Sequence, residues 1–142
     1  MKQLFIAIFL LFSIGLVHAQ EIPSSQIPKD VLDRLHHAFP QSMDLPVKWT
    51  REKLDYKASL TIMDEPAFVV IDSTGLQKRL ERRINDVYLP DAAKQHLKKI
   101  DPKHQIISVY KVVDEKENVT YKTVARIVTT INFDAKGKVI SK

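Results

Sequence analysis

The 142-residue sequence contains no cysteine and only three glycines. Without cysteine the chain can form neither disulfide bonds nor a lipid-modified cysteine anchor, so its stability must come from packing. The scarcity of glycine and the absence of low-complexity runs argue against a disordered or fibrous chain. The composition therefore predicts a globular protein.

Long apolar runs are also missing, except near the N-terminus. Residues 4–17 carry no charge, follow a short segment with one lysine, and precede His18-Ala19-Gln20. This pattern is typical of a secretory signal, and the run is shorter than the roughly 20 residues of a membrane-spanning helix. We expect a signal peptide over 1–19, cleaved before Gln20, and a periplasmic or secreted protein. A retained N-terminal anchor is the alternative interpretation.

Charge is only mildly unbalanced. Removing residues 1–19 lowers the formal net charge from +5 to +4 and leaves 123 residues, which suits one domain. The densest basic run lacks aromatic residues that could stack on bases, so we expect no nucleic-acid partner. The run is either a solvated face or an anion site, and the sequence leaves both open. Its members are Lys78, Arg79, Arg82 and Arg83.

The sequence repeats itself at a shift of 62 residues. This shift aligns Ile27-Pro28 with Leu89-Pro90 and residues 72–75 with residues 134–137, so prolines and turn glycines coincide. We interpret the chain as one unit written twice. The expected boundaries are a linker over 20–26, a first repeat over 27–77 and a second repeat over 78–142, packed with the first as one domain.

Each repeat opens with a helical pattern and continues with strand patterns. Apolar residues recur every three or four positions over 27–39 and 89–100, and proline follows each stripe. Alternation of apolar and polar residues then predicts three strands per repeat. The predicted strands are 45–49, 56–62 and 67–71, then 106–113, 121–127 and 129–133. Predicted loops are 50–55 and 114–118, with a tight turn at 64–66.

These elements predict an α+β fold made of two helix-strand-strand-strand units, with about six antiparallel strands. Helices with one apolar stripe can cover only one face of the sheet, so the other face should stay open. Strand alternation places eight side chains on that open face. They are Lys57, Ser59, Thr61, Phe68, Val70, Lys122, Val124 and Arg126.

The chain resembles the PepSY-like family of exported proteins, whose fold is similar to that of the β-lactamase-inhibitor protein. The resemblance extends over essentially the whole chain after the signal. It implies a tandem helix-plus-sheet architecture, no catalytic residues, and an uncovered sheet that faces a protein. The residues that carry it are Ile27-Pro28, Phe39-Pro40, Val47, Trp49, Tyr56-Lys57-Ala58, residues 72–75, Glu81, Leu89-Pro90, Tyr121 and residues 133–137.

We therefore expect a noncatalytic binding or inhibitor-like protein that recognises a protein or peptide partner through the open sheet face. No cofactor, metal site or membrane embedding after signal cleavage is expected. Trp49 is either an interface anchor or a core residue. The predicted binding residues are Trp49, Lys57, Phe68, Lys122 and Arg126.

Two other function classes stay open. His37 with Asp33, four residues earlier, could form the acid-base pair of an exported hydrolase. A small-molecule or metal-sensing envelope module is the other alternative. For a metal site, His36, His37, His96 and His104 lack cysteine partners and any HExxH pattern.

Overall fold

A computed structural model describes residues 20–100, 106–125 and 130–141, and the predicted signal peptide lies outside them. These residues form two α-helices and eight strands. The helices are α1 (Lys29–Ala38) and α2 (Asp91–Ile100). The strands are β1 (Lys48–Glu52), β2 (Asp55–Ile62), β3 (Glu65–Ile71), β4 (Gln77–Ile84), β5 (Ile106–Asp114), β6 (Val119–Ala125), β7 (Thr130–Asp134) and β8 (Val139–Ser141).

Both helices follow from their apolar stripes. Helix α1 buries Val31 and Leu35, with Pro28 at its N-cap, and it ends just before Pro40, which cannot continue the backbone hydrogen bonding. Helix α2 buries Ala93 and Leu97 in the same way. The two predicted helices are confirmed. Within the described part of the chain, no helix has the length and apolar character needed to cross a membrane.

The eight strands form one antiparallel sheet in which each strand pairs with the next one along the chain. The first unit contributes α1 with β1–β4, and the second contributes α2 with β5–β8. The predicted α+β class, the two units and the open sheet are confirmed. Each unit has four strands rather than three, so the sheet has eight strands instead of about six.

The two additional strands are β4 and β8. Strand β4 coincides with the basic run, where charged side chains on both sides of Leu80 hide the alternation that marks a half-buried strand. The expected repeat boundary after residue 77 therefore falls within this strand. Strand β1 continues through Glu52, so the predicted loop 50–55 shrinks to a turn at Lys53-Leu54.

The two helices cover the same face of the sheet. Leu80 packs against the first core and Ile84, four residues later on β4, packs against the second. Side chains four positions apart on a strand point to the same side, so both cores lie on one face. Buried residues of the first core are Ile27, Val31, Leu35, Phe39, Trp49, Tyr56, Ala58, Leu60, Ile62, Ala67, Val69 and Ile71. Those of the second are Leu89, Ala93, Leu97, Val109, Ile131 and Phe133.

The last turn of each unit shows the duplication most directly. In the β3–β4 turn, Asp72 Oδ1 accepts hydrogen bonds from the backbone N–H groups of Thr74 and Leu76. In the β7–β8 turn, Asp134 Oδ1 accepts them from the corresponding residues, Lys136 and Lys138. Gly75 and Gly137 then adopt nearly equal positive φ angles of 84° and 83°.

Candidate functional site

The sheet face opposite the helices is the candidate site, and no described element packs over it. Its side chains are identified by the strand register, because directly paired residues point to the same side of a sheet. One row across β1 to β6 contains Lys48, Ser59, Phe68, Glu81, Val112 and Thr120. A neighbouring row across β4 to β7 contains Arg83, Tyr110, Lys122 and Asn132.

Glu81 lies near the middle of this open face and is only 5% exposed. Arg79 Nε donates to one of its carboxylate oxygens at 2.7 Å, and Lys122 Nζ donates to the other at 3.2 Å. A buried carboxylate is costly unless such partners satisfy it. Because Lys122 belongs to β6, this interaction joins the two units on the open face.

The same network extends to the first strand. The Arg79 guanidinium also donates to Glu52 at 2.8 Å, and Lys57 Nζ lies 3.8 Å from Oε2 of the same carboxylate. Burial lowers the pKa of Arg79, but its hydrogen bond to Glu52 and the charges of Glu81 and Glu52 outweigh this effect and raise the pKa above its usual value. Arg79 therefore remains a fixed positive charge on β4.

Two aromatic rings lie beside this ionic network. Phe68 on β3 and Tyr110 on β5 have ring centroids 5.8 Å apart, so the rings meet above β4, the strand between them. Lys57 Nζ lies 4.9 Å from the centroid of Phe68, and Lys122 Nζ lies 5.6 Å from that of Tyr110. Both distances suit a cation-π interaction. We call Lys57, Phe68, Tyr110 and Lys122 the aromatic-lysine cluster.

The structure brings three of the predicted binding residues onto the open face. Lys57, Phe68 and Lys122 all belong to the aromatic-lysine cluster. Trp49 does not: it is 1% exposed, faces the helices and packs in the first core, so a partner on the open face cannot reach it. The core interpretation of Trp49 is correct. Arg126 lies outside the described residues.

Sequence reasoning missed Tyr110, Arg79 and Glu81 as parts of this site. Tyr110 lies in a predicted strand, and alternation with the buried Val109 would have placed it on the open face. Arg79 and Glu81 gave no such signal because β4 was not predicted. Their pairing with Glu52 and Lys122 depends on strands that are distant in sequence.

The structure shows the surroundings of some residues that the alternative functions would use. Asp33 accepts a hydrogen bond from Lys29 at 2.6 Å, and this bond raises the pKa of Lys29. The carboxylate proposed to orient His37 is thus engaged by a lysine. Among residues 20–100, 106–125 and 130–141, no group of three or more His, Cys, Asp or Glu side chains is placed to hold a metal ion.

No protein-family model matches the chain, and no curated protein matches it. Solved structures from Bacteroides do match its fold. A DUF2874 family protein from Bacteroides uniformis is 16% identical, with 80% of this chain and 86% of that chain covered and a TM-score of 0.67. A protein from Bacteroides eggerthii, described as provisionally periplasmic, is 14% identical over the same shares, with a TM-score of 0.69.

A third solved structure is a BLIP-like protein from Bacteroides fragilis. It is 15% identical, with 84% of this chain and 85% of that chain covered and a TM-score of 0.61. At these identities the similarity establishes the fold, which is the tandem helix-plus-sheet architecture built above from the strand register.

Proposed function

We propose that this chain is an exported, noncatalytic binding or inhibitor-like protein of the PepSY-like type, which recognises a protein or peptide partner through its open sheet face. The observation that carries the proposal is the aromatic-lysine cluster, which lies on a sheet face that no described element covers. Tryptophan, tyrosine and arginine are the side chains that most often dominate binding energy at protein interfaces, and phenylalanine is also enriched there.

The dimensions of the open face fit such a partner. Eight strands spaced about 4.8 Å apart, most of them five or more residues long, give a surface on the order of 600–800 Å². A standard protein interface buries about 800 Å² on each partner. The face is therefore large enough for a folded protein or an extended peptide.

The ionic network supports the proposal by making the face rigid. The carboxylates of Glu52 and Glu81 are held by Arg79 and Lys122, so the positions of β1, β4 and β6 are fixed relative to one another before any partner arrives. A preorganised surface loses less conformational entropy on binding.

Export and family type rest on separate support. The segment 1–19 has the composition of a secretory signal, and the Bacteroides eggerthii protein of the same fold is described as provisionally periplasmic. An inhibitor-like role is suggested by the resemblance of the sequence to the PepSY-like family and by the fold shared with the BLIP-like protein of Bacteroides fragilis.

The test is affinity capture from envelope extract with the mature protein, residues 20–142, followed by measurement of binding to each purified candidate. The variant Phe68→Thr/Tyr110→Thr removes both rings and introduces threonine, a β-branched residue that suits strands. We expect its affinity to fall at least tenfold, since aromatic anchors typically contribute about 2 kcal/mol or more.

The matched control is Tyr88→Thr, which removes a tyrosine that is 71% exposed and lies outside the sheet. Its affinity should stay within about twofold of the parent protein. A folded Phe68→Thr/Tyr110→Thr variant that binds as well as the parent would refute recognition through the open face, and circular dichroism verifies its folding.

A further inference from the structure

The opposite face of the sheet contains a gap between the two helix-covered cores. A cleft of about 340 Å³ lies there over β4 and β5. Leu80 borders the first core and Ile84 borders the second, so the cleft separates the two units on the helix side. Five of its lining residues point to the helix side by strand register, and Arg83, which the register assigns to the open face, also borders it. The five are Leu80, Arg82, Ile84, Lys111 and Val113.

Two cations face each other in this cleft. Arg82 and Lys111 are direct cross-strand partners, and both are exposed. Like charges directly opposite each other destabilise a sheet. Elsewhere in the same strand pair the facing charges are opposite in sign, because Arg79 lies across from Asp114. Among the residues that the structure describes, no acidic side chain forms an ion pair with Arg82 or Lys111.

The first unit shows how a cation at the corresponding position can be satisfied. Arg51 lies opposite Tyr56 in β1–β2, as Lys111 lies opposite Tyr121 in β5–β6. The Arg51 guanidinium lies 3.8 Å from the centroid of the Tyr56 ring and donates to its hydroxyl at 2.8 Å. Lys111 makes no such cation-π contact with Tyr121, and it lines the cleft.

We propose that this cleft is a second binding surface that takes an acidic peptide segment of a partner protein, with one carboxylate held between Arg82 and Lys111. The apolar neighbours of that carboxylate pack against Leu80, Ile84 and Val113. A carboxylate there turns the repulsion between the two cations into two charge-assisted hydrogen bonds. A local conflict without compensation inside the fold is typical of a functional site.

The apolar walls favour a peptide over a free inorganic anion. A small anion would contact only the two cations and leave Leu80, Ile84 and Val113 in water, whereas flanking apolar side chains of a peptide would cover them. This surface lies on the opposite side of the sheet from the aromatic-lysine cluster. The proposal therefore stands or falls independently of recognition through the open face.

The test uses a fluorescein-labelled peptide of alternating leucine and glutamate, with fluorescence anisotropy as the readout and the mature protein as the receptor. We expect saturable binding, at least a tenfold loss in Arg82→Gln/Lys111→Gln, and a loss within about twofold in Lys116→Gln/Lys136→Gln. The control variant removes the same charge from two exposed turn residues. In the absence of peptide, Arg82→Gln should raise the melting temperature because it relieves the repulsion.

Several outcomes would overturn the proposal. They are absence of saturable binding, equal losses in the cleft variant and the control variant, and unchanged binding by a folded cleft variant. Displacement of the peptide by inorganic phosphate at comparable concentration would indicate a simple anion site instead. Binding to phosphatidylglycerol vesicles that is lost in the cleft variant, without binding to the peptide, would assign the surface to a membrane.

Discussion

The two units share one plan but fill their cores with different side chains. Trp49 on β1 lies opposite Ala58 on β2, and at the corresponding place in the second unit Val109 on β5 lies opposite Thr123 on β6. All four residues are buried. The first unit combines a very large and a very small side chain, whereas the second combines two of intermediate size.

This exchange of volumes has a polar consequence. The Thr123 hydroxyl is buried and donates to the backbone carbonyl of Ile131 at 3.1 Å, so it is satisfied within the sheet. Ala58 introduces no polar atom, and the indole of Trp49 supplies apolar area in its place. The comparison shows that the repeat conserves strand register and burial rather than residue type at each position. It also predicts that the first core contributes more to stability.

The largest expected effect comes from shortening the buried side chains of Trp49 and Val109 to alanine. We expect Trp49→Ala to lower the free energy of unfolding by about 3–5 kcal/mol, and Val109→Ala by about 1.5–3 kcal/mol, because the indole leaves the larger cavity. Urea denaturation followed by far-UV circular dichroism measures both losses. The fluorescence of Trp49, the only tryptophan, is absent from the first variant and cannot be the probe.

Trp49→Phe is the control for the first core, since it keeps an aromatic ring and should cost clearly less than Trp49→Ala. If Val109→Ala is as costly as Trp49→Ala, the two cores contribute equally despite their different residues. The prediction that the first core contributes more to stability would then be wrong.

The parts of the fold that the sequence predicts are those determined by local periodicity. Val31 with Leu35, and Ala93 with Leu97, define the buried stripes of both helices, and alternation along β2 and β6 identifies their two faces. Position-specific prolines and turn glycines then reveal the duplication. The helix and strand signals each lie within one element, so no knowledge of the rest of the molecule is needed to read them.

Strand β4 could not be predicted in this way. Its charged residues are tolerated in mid-sheet because Arg79 is satisfied by Glu52 from β1, and Glu81 by Lys122 from β6. These partners are 27 and 41 residues away in sequence. A sequence pattern does not reveal such pairings, so the basic run resembled a solvated segment.

The candidate site was predicted only in part for the same reason. Alternation correctly placed Lys57, Phe68 and Lys122 on the open face, but it said nothing about which of them meet. The contact between Phe68 and Tyr110 requires β4 to lie between β3 and β5. Proximity within the site is thus a property of the strand order, which depends on the whole chain.

A second test compares the two turn glycines. A Cβ on Gly75 would lie 2.9 Å from the carbonyl oxygen of Asp30, and a Cβ on Gly137 would lie 2.6 Å from the backbone nitrogen of Ala93. Both have positive φ, which costs an alanine about 1–2 kcal/mol. We expect Gly137→Ala to lower the free energy of unfolding by about 2 kcal/mol or more, and to cost more than Gly75→Ala, in the same urea titrations.

Glu117→Gly separates backbone conformation from steric contact. Glu117 has a φ of 63° in the β5–β6 turn and is exposed, so glycine there relieves strain without filling any space. A gain of about 0.5–1 kcal/mol in the free energy of unfolding is expected.

Equal losses from Gly75→Ala and Gly137→Ala would show that the contact of Gly137 with α2 contributes nothing beyond the positive φ.

The smallest expected effect distinguishes the two aspartate turns by pH. The pKa of Asp72 is lowered mainly by the hydrogen bond from the Thr74 hydroxyl, at 2.6 Å. A lowered pKa in the folded state means that the stabilisation is complete above the ordinary value of 3.8 and is lost as pH falls through the folded value. Thr74→Lys, which introduces the residue found at the corresponding position 136, should therefore destabilise the protein at neutral pH and much less once Asp72 is protonated.

Urea denaturation at about pH 7 and at a series of pH values falling from 3.8 measures this difference. The reciprocal variant Lys136→Thr gives Asp134 the opportunity to accept a hydroxyl hydrogen bond, and it should increase stability only at the higher pH. The hydroxyl matters only while the aspartate is ionised, because the charged form is the stronger acceptor. A loss in Thr74→Lys that is equal at all of these pH values would mean that the two turns differ in strand propensity or packing, and not in the hydrogen bonding of their aspartates.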